Sequence, residues 1–261
     1  MKFEILARCS AVRHLVTEKD GGFGCGFSMA LHTGEAETEI RRNRAVLTEA
    51  FGASYRFCGI RQTHGDKIHR IKEPEGEGWR DLSDAVEADA LITDLPSMVL
   101  TILTADCVPI LLYDPLRGAI GAVHAGWKGS RAEILPKTIA AMQDAFGCVV
   151  EDMLVAIGPA IGQCCYEVSL EVAEHFRDYG GAVIEGGGEG KYMLDLKEIN
   201  RLQASACGIL PAHTEVTEIC TSCSRDRFFS YRAEQGCNGR FLSAIALKGE
   251  QEGLEGDWIN I

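Results

Sequence analysis

Residues 104–126 read Thr-Ala-Asp-Cys-Val-Pro-Ile-Leu-Leu-Tyr-Asp-Pro-Leu-Arg-Gly-Ala-Ile-Gly-Ala-Val-His-Ala-Gly. Two apolar, partly β-branched runs, VPILLYD (108–114) and GAIGAVH (118–124), flank Asp114-Pro115-Leu116-Arg117-Gly118. Proline presets the entry to such a turn and glycine its exit, so the stretch predicts an antiparallel hairpin. Partner positions then sum to roughly 232, give or take one or two, and His124 falls beside Val108, next to Cys107. A thiol and an imidazole thus meet at the open end of one hairpin, where a rigid sheet holds reactive groups well.

Outward from the hairpin, ALIT (90–93) and MVLTILTA (98–105) continue the strand texture, broken by Asp94-Leu95-Pro96. Helical spacing covers Glu37 to Phe51, closed by Gly52, and a second helix is predicted over about 130–146, followed by the strand MLVAI (153–157). Further helices are expected at 169–179 and 195–207, and strands near 214–219, 227–232 and 240–247. Helices and strands mix without a strict βαβ rhythm, and the tight strand-to-strand turns imply antiparallel pairs. The prediction is an α+β fold with mixed sheets, a single domain over 1–261 with no linker or repeat to divide it.

Composition narrows the function classes. At 46% hydrophobic and 25% charged residues the balance is that of a globular protein, and no apolar run is long enough to span a membrane. Glu4 and Arg8 interrupt the first residues, against a signal peptide. The net charge of −12 argues against nucleic acid as a partner. The one basic cluster, Arg41, Arg42 and Arg44, lies beside Glu37 and Glu39 and reads as a solvated helix face. Eleven cysteines, an odd number, point to reduced thiols and a cytoplasmic location. Cys220 and Cys223 form a CxxC without a second CxxC, and read as ordinary thiols near a strand end. The glycines at 186, 187, 188 and 190 read as a surface loop, and the acidic tail (Glu250, Glu252, Glu255, Asp257) as a solvated end.

The chemistry depends on a third group. His64, in the polar loop Arg61-Gln62-Thr63-His64-Gly65-Asp66, would complete a three-ligand N/S metal site with one position open for water or substrate. Without it, Cys107 and His124 form a nucleophile and base. His69 reads as a surface histidine. Asp106 is either an acid/base or ligand-supporting carboxylate, or the carboxylate of a hydrogen-bonded turn. Trp127 serves equally as a stacking surface or a helix anchor, and Cys164, Cys165 and Tyr166 either pack, the preferred reading, or line the pocket.

Six motifs in order, QTHGDKI (62–68), ADALIT (88–93), TADCVPILLYD (104–114), AVHAGWKG (122–129), IGPAIGQCCYEV (157–168) and FFSYR…GR (228–240), resemble the bacterial laccase-domain family over nearly the whole chain. That family is named for multicopper polyphenol oxidases and is also described as purine nucleoside phosphorylases and peptidoglycan editing factors. The resemblance implies α/β/β/α layers around mixed sheets, similar to a cysteine-hydrolase-like fold, and one zinc held by His64, Cys107 and His124. It further implies phosphorolysis of adenosine, inosine, guanosine and methylthioadenosine, and deamination of adenosine. In that chemistry Cys107, His124 and Asp106 are the catalytic candidates, and Arg61, Lys128, Arg232 and Arg240 the cations for phosphate. The chain departs from the family near its start, where Thr17-Glu18-Lys19-Asp20-Gly21-Gly22 stands for a Thr-Arg-Gly-Gly stretch and Met29-Ala30-Leu31 for Leu-Asn-Leu.

Two rival readings remain. One is a metal-free Cys–His hydrolase acting on peptidoglycan precursors. The other is a copper polyphenol oxidase, which seven histidines supply poorly: a blue-copper centre takes two and a cysteine, and a three-copper cluster needs more than remain. Copper is then only an alternative occupant of the single site.

Overall fold

The computed structural model describes residues 1–74 and 76–249; the acidic tail lies outside them. Its centre is the expected hairpin. Strand Val108–Asp114 pairs antiparallel with Ala119–Ala125, and His124 stands opposite Pro109, one residue from the position the turn alone suggested. The offset comes from a four-residue connection. Asp114 Oδ1 accepts from the N–H groups of Leu116 and Arg117, and Gly118 at φ 60° returns its N–H to Asp114 O.

Around the hairpin a six-stranded mixed sheet runs in the order Thr214–Val216, Leu154–Ile157, Val108–Asp114, Ala119–Ala125, Ala90–Thr93, Ile68–Arg70. A four-stranded sheet, Val12–Val16, Phe241–Leu247, Met98–Thr104, Arg56–Cys58, lies against one of its faces. Period-two alternation decides which face each residue serves. Leu111, Tyr113, Ile120 and Ala122 join Leu100, Ile102 and Ile245 between the sheets. Ile110, Leu112 and Val123 point the other way, under helices Ile134–Phe146 and Leu196–Ala206. On the far face of the smaller sheet, Val99, Leu242 and Ala244 meet Leu47 and Phe51 of helix Glu37–Phe51. The layers are therefore helix, sheet, sheet, helix, as expected. A three-stranded sheet of Val183–Glu185, Lys191–Leu194 and Glu167–Ser169 completes the chain, and the 186–190 glycines form one of its connections.

Several local expectations are corrected. The helix expected over about 130–146 is two helices, Trp127–Arg131 and Ile134–Phe146, broken where Glu133 turns left-handed at φ 58°. The first holds close to the loop at Gly65, and the second turns away to cover the sheet. The helix expected at 169–179 stops at Glu174 and gives way to a 3-10 segment. Residues 227–232 form turns, not a strand: Arg227 and Phe228 both donate to Ser224 O, and Phe228 and Phe229 are buried as anchors. Arg41 and Arg42 pair with Glu37 and Glu39 on the helix surface, but Arg44 is only 5% exposed and donates to the carbonyls of Met29 and Trp79. Among the described residues no helix is long and apolar enough to cross a membrane.

Candidate metal centre

Cross-strand partners share a face, so His124 and Pro109 point to the same side of the larger sheet, and Cys107 lies two residues before Pro109. The loop before strand Ile68–Arg70 brings in His64, whose backbone is left-handed at φ 60°. One ligand atom each from His64, Cys107 and His124 fall within 4.8 Å of one another. The two imidazoles meet edge to face with centroids 4.7 Å apart. His124 is 2% exposed, Cys107 half-buried and His64 exposed, so the cluster opens to solvent on one side.

The carboxylate of Asp89, fully buried, organises this cluster. Its Oδ1 lies 2.8 Å from His124 Nδ1 and accepts from His64 N at 2.9 Å. Its Oδ2 accepts from Gly65 N at 2.7 Å and from Thr63 Oγ1 at 3.0 Å. The ladder continues this pairing, since His124 N donates to Asp89 O. One side chain therefore fixes the loop that carries His64 and the ring of His124, with Nδ1–H on the carboxylate and Nε2 free to bind. Gln62 anchors the same loop through both amide atoms to Leu103.

Close approach also requires a glycine. A Cβ on Gly126 would come within 3.1 Å of Cys107 Sγ and 3.2 Å of a His64 ring carbon.

The electrostatics follow from these contacts. Burial alone would raise Asp89, but its hydrogen bond to His124, the charge there and the loop N–H groups hold it at about 2. Burial would also raise the Cys107 thiol; the neighbouring His124 and His64 outweigh it and bring it to about 6. For His124 burial acts downward, and the Cys107 thiolate with Asp89 lifts it to about 9. The pair is thus poised as thiolate and imidazolium, and a bound cation would take the place of the imidazolium proton. A thiolate and two imidazoles suit zinc or copper and leave a coordination position open. Of the seven histidines, all of them among the described residues, only His64 and His124 belong to a metal-competent cluster. Ligands for a multi-copper centre are missing from it.

The remaining sequence-derived residues fall at different places. Asp106, 8% exposed and at φ 96°, is fully engaged: Oδ1 accepts from Thr221 Oγ1 at 2.6 Å and Oδ2 from Arg232 N at 2.7 Å. That is the hydrogen-bonded turn carboxylate. The Arg232 guanidinium lies over the Tyr166 ring and donates to Glu167 O. Burial, then the charge of Cys107, push the Tyr166 phenol up to about 12. Arg240 donates to Cys237 O and Gly239 O and lies over Tyr231. Arg61 is directed to Leu82 O and Glu87. Lys128 is exposed near the Trp127 ring, and Trp127 stacks on His175 in the manner of a helix anchor. His69 pairs with Glu77 instead of joining His64. Asp89 lies inside the motif ADALIT, but nothing in its local spacing marks it as a site residue, whereas Gly126 belongs to the small-residue stretch 125–129 that permits close backbone approach.

The family model described as multi-copper polyphenol oxidoreductase laccase matches residues 13–248. A protein of Geobacillus stearothermophilus named purine nucleoside phosphorylase YlmD is 38% identical over 247 residues, covering 90% of each chain. One of Bacteroides thetaiotaomicron named purine nucleoside phosphorylase is 36% identical, over 94% of this chain and 95% of its own. The crystal structure of YlmD from Geobacillus stearothermophilus superposes with a TM-score of 0.86 at 36% identity, covering 92% of this chain and 93% of that one. The Bacillus licheniformis protein YfiH gives 0.85 at 34% identity, over 91% and 93%.

Proposed function

The chain belongs to the multi-copper polyphenol oxidoreductase laccase family, and from that premise we propose that it is a zinc-dependent purine nucleoside phosphorylase. The observation that carries the reading is the convergence of His64, Cys107 and His124 beside Asp89, in a chain that matches proteins named purine nucleoside phosphorylase over 90% and 94% of its length. The proposed substrates are adenosine, inosine, guanosine and methylthioadenosine with phosphate; the products are the base and ribose 1-phosphate. Deamination of adenosine is proposed as a second activity of the same centre. When bound, zinc supplies Lewis-acid polarisation, of the departing purine in phosphorolysis and of water in deamination. Copper fits the same donor set as an alternative occupant.

The protein's own groups divide the rest of the work. Asp89 keeps the His124 ring oriented, and Cys107 contributes one negative charge that offsets half of a divalent ion's. Phosphate must be held against C1′ of the ribose as positive charge develops there. Arg232 is the first candidate, because its backbone is tied to Asp106, next to Cys107. Arg240 and Lys128 are further candidates, while Arg61 would have to leave Glu87 and Leu82 to take part. Asp106 acts in this scheme by positioning Arg232. The free thiols suit a cytoplasmic enzyme.

The test is a purified, metal-quantified protein given inosine and adenosine with and without phosphate, following base, inosine and ribose 1-phosphate by chromatography. Phosphate-dependent base release that disappears in Cys107→Ala is the expected result. No turnover of either nucleoside with zinc bound would overturn it.

A second reading is favoured by one observation: Asp89, His124 and Cys107 line up as carboxylate, imidazole and thiol. That is the order of a metal-free cysteine hydrolase, for which UDP-linked peptidoglycan precursors are the substrates to try. Activity lost on chelation and restored by stoichiometric zinc separates the two. Alkylation of Cys107 does not, since both schemes need the thiolate.

A further inference from the structure

The other metal-competent cluster among the described residues consists of cysteines alone. Cys164, Cys165, Cys220 and Cys223 bring their sulfurs within 4.8 Å of one another. Cys223 Sγ lies 3.7 Å from Cys164 Sγ and 3.4 Å from Cys165 Sγ. A tetrahedral zinc with Zn–S bonds of about 2.3 Å has sulfur–sulfur edges of about 3.8 Å. We propose that these four cysteines form a second metal site, a tetrathiolate centre that takes zinc and braces the loops behind the His64–Cys107–His124 centre.

The two loops are built to meet. Ala160 and Cys220 form a parallel bridge, and Thr221 N donates to Ala160 O. Cys165 N and Tyr166 N both return to Gly162 O, a turn that presents two adjacent thiols, and Ser224 N closes the CxxC turn on Cys220 O. Gly162 N donates to Cys220 Sγ at 3.2 Å, an N–H···S bond that stabilises a thiolate. Gly162 keeps the two loops close: a Cβ there would meet Cys220 Cβ at 3.2 Å and Cys164 Sγ at 3.3 Å, and would crowd both thiols. Four thiolates around a divalent ion carry two net negative charges, and the buried Lys197 ammonium lies close by, bound to Thr217 O and Ile219 O. Cys164 and Cys223 are exposed, which gives the ion an entry path, while Cys220 is buried beneath them. Binding releases the thiol protons to solvent; no oxidation is involved.

The brace reaches the first centre through Thr221, inside the CxxC. Its hydroxyl donates to Asp106 Oδ1 at 2.6 Å, and Ile161 N, from the other loop, donates to Asp106 O. Asp106 is the neighbour of Cys107. A metal joining the two loops therefore fixes the turn on which the catalytic thiol stands.

The experiment counts metal by mass spectrometry in protein purified under reducing conditions and washed with a mild chelator. Wild type should hold two zinc ions per chain, and Cys107→Ala, with the first centre broken, should keep one. Cobalt reconstitution of Cys107→Ala should give intense visible bands and thiolate charge transfer, although that variant has lost the thiol of the first site. Stripping its remaining metal should lower its melting temperature. The double variant Cys220→Ser, Cys223→Ser should lose one ion; should it fail to fold, the Cys107→Ala results decide alone. A metal-free Cys107→Ala protein, iron in place of zinc, or a disulfide among the four in reduced preparations would each overturn the proposal.

Discussion

Asp89 and His124 sit side by side at the ends of neighbouring antiparallel strands, joined twice: His124 N to Asp89 O in the ladder, and Nδ1 to Oδ1 at 2.8 Å. The ring of the most buried candidate ligand is thus oriented by the same backbone pairing that builds the sheet. With four groups of the loop bound as well, the Asp89 carboxylate links the fold to the metal-binding geometry.

Asp89→Asn should separate these roles. An amide can still bond His124, but it carries no charge and can turn its NH2 toward donors that need an acceptor. Loss of a carboxylate behind a ligating histidine costs roughly 10–100-fold in metal affinity. Competition with a chromogenic chelator should show a loss of that size, with circular dichroism unchanged. Affinity equal to wild type would mean that the carboxylate serves the loop alone.

The hairpin and the Cys107–His124 pairing were legible because they are local: two apolar runs, one strong turn, and a register set by its length. Asp89 was not, because its meaning depends on strand Ala90–Thr93 lying beside Ala119–Ala125, a pairing no local spacing declares. The tetrathiolate cluster was hidden for the same reason, as Cys165 and Cys223 are 58 residues apart and meet only through the Ala160–Cys220 bridge. Arg44 is different, since its signal was present. It lies four residues after Ile40, three before Leu47 and seven before Phe51, on the buried stripe of the helix. Reading it with its charged neighbours concealed that position.

Arg44→Leu should therefore behave as a core substitution. The guanidinium donates twice to Met29 O and once to Trp79 O, and lies 4.4 Å from the Trp79 ring centroid. Leucine would fill part of the space and leave two buried carbonyls without their charged donor, a cost of roughly 2–4 kcal/mol. Urea unfolding should show this loss, whereas Arg42→Leu, whose partner Glu39 lies on the surface, should change stability by less than about 1 kcal/mol. Equal effects would refute the buried assignment.

Gly126→Ala tests the crowding at the centre itself. Gly126 has φ −73° and ψ 175°, which alanine adopts freely, so backbone strain contributes nothing. The new methyl must push Cys107 Sγ or His64 by a few tenths of an ångström. Zinc affinity at this centre should fall by about tenfold, while the metal-free protein melts close to wild type. A large drop in the metal-free melting temperature would place the effect in folding instead.

His14 predicts how stability responds to acid. It lies on strand Val12–Val16, 7% exposed, and its Nε2 accepts from Phe3 N at 2.8 Å. Burial, and then the charge of Lys2, lower its pKa from the ordinary 6.5 to about 4. At neutral pH the ring is uncharged both folded and unfolded, and its contribution is fully present. As pH falls below 6.5 the unfolded chain takes up a proton that the folded chain refuses until about 4, so stability is lost across that window. The total approaches roughly 3 kcal/mol. His14→Gln keeps an acceptor for Phe3 N and cannot titrate. Between about pH 7.5 and pH 5 its urea midpoint should decline less than that of wild type, with carboxylate effects common to both. Parallel declines would show that His14 takes its proton as readily folded as unfolded.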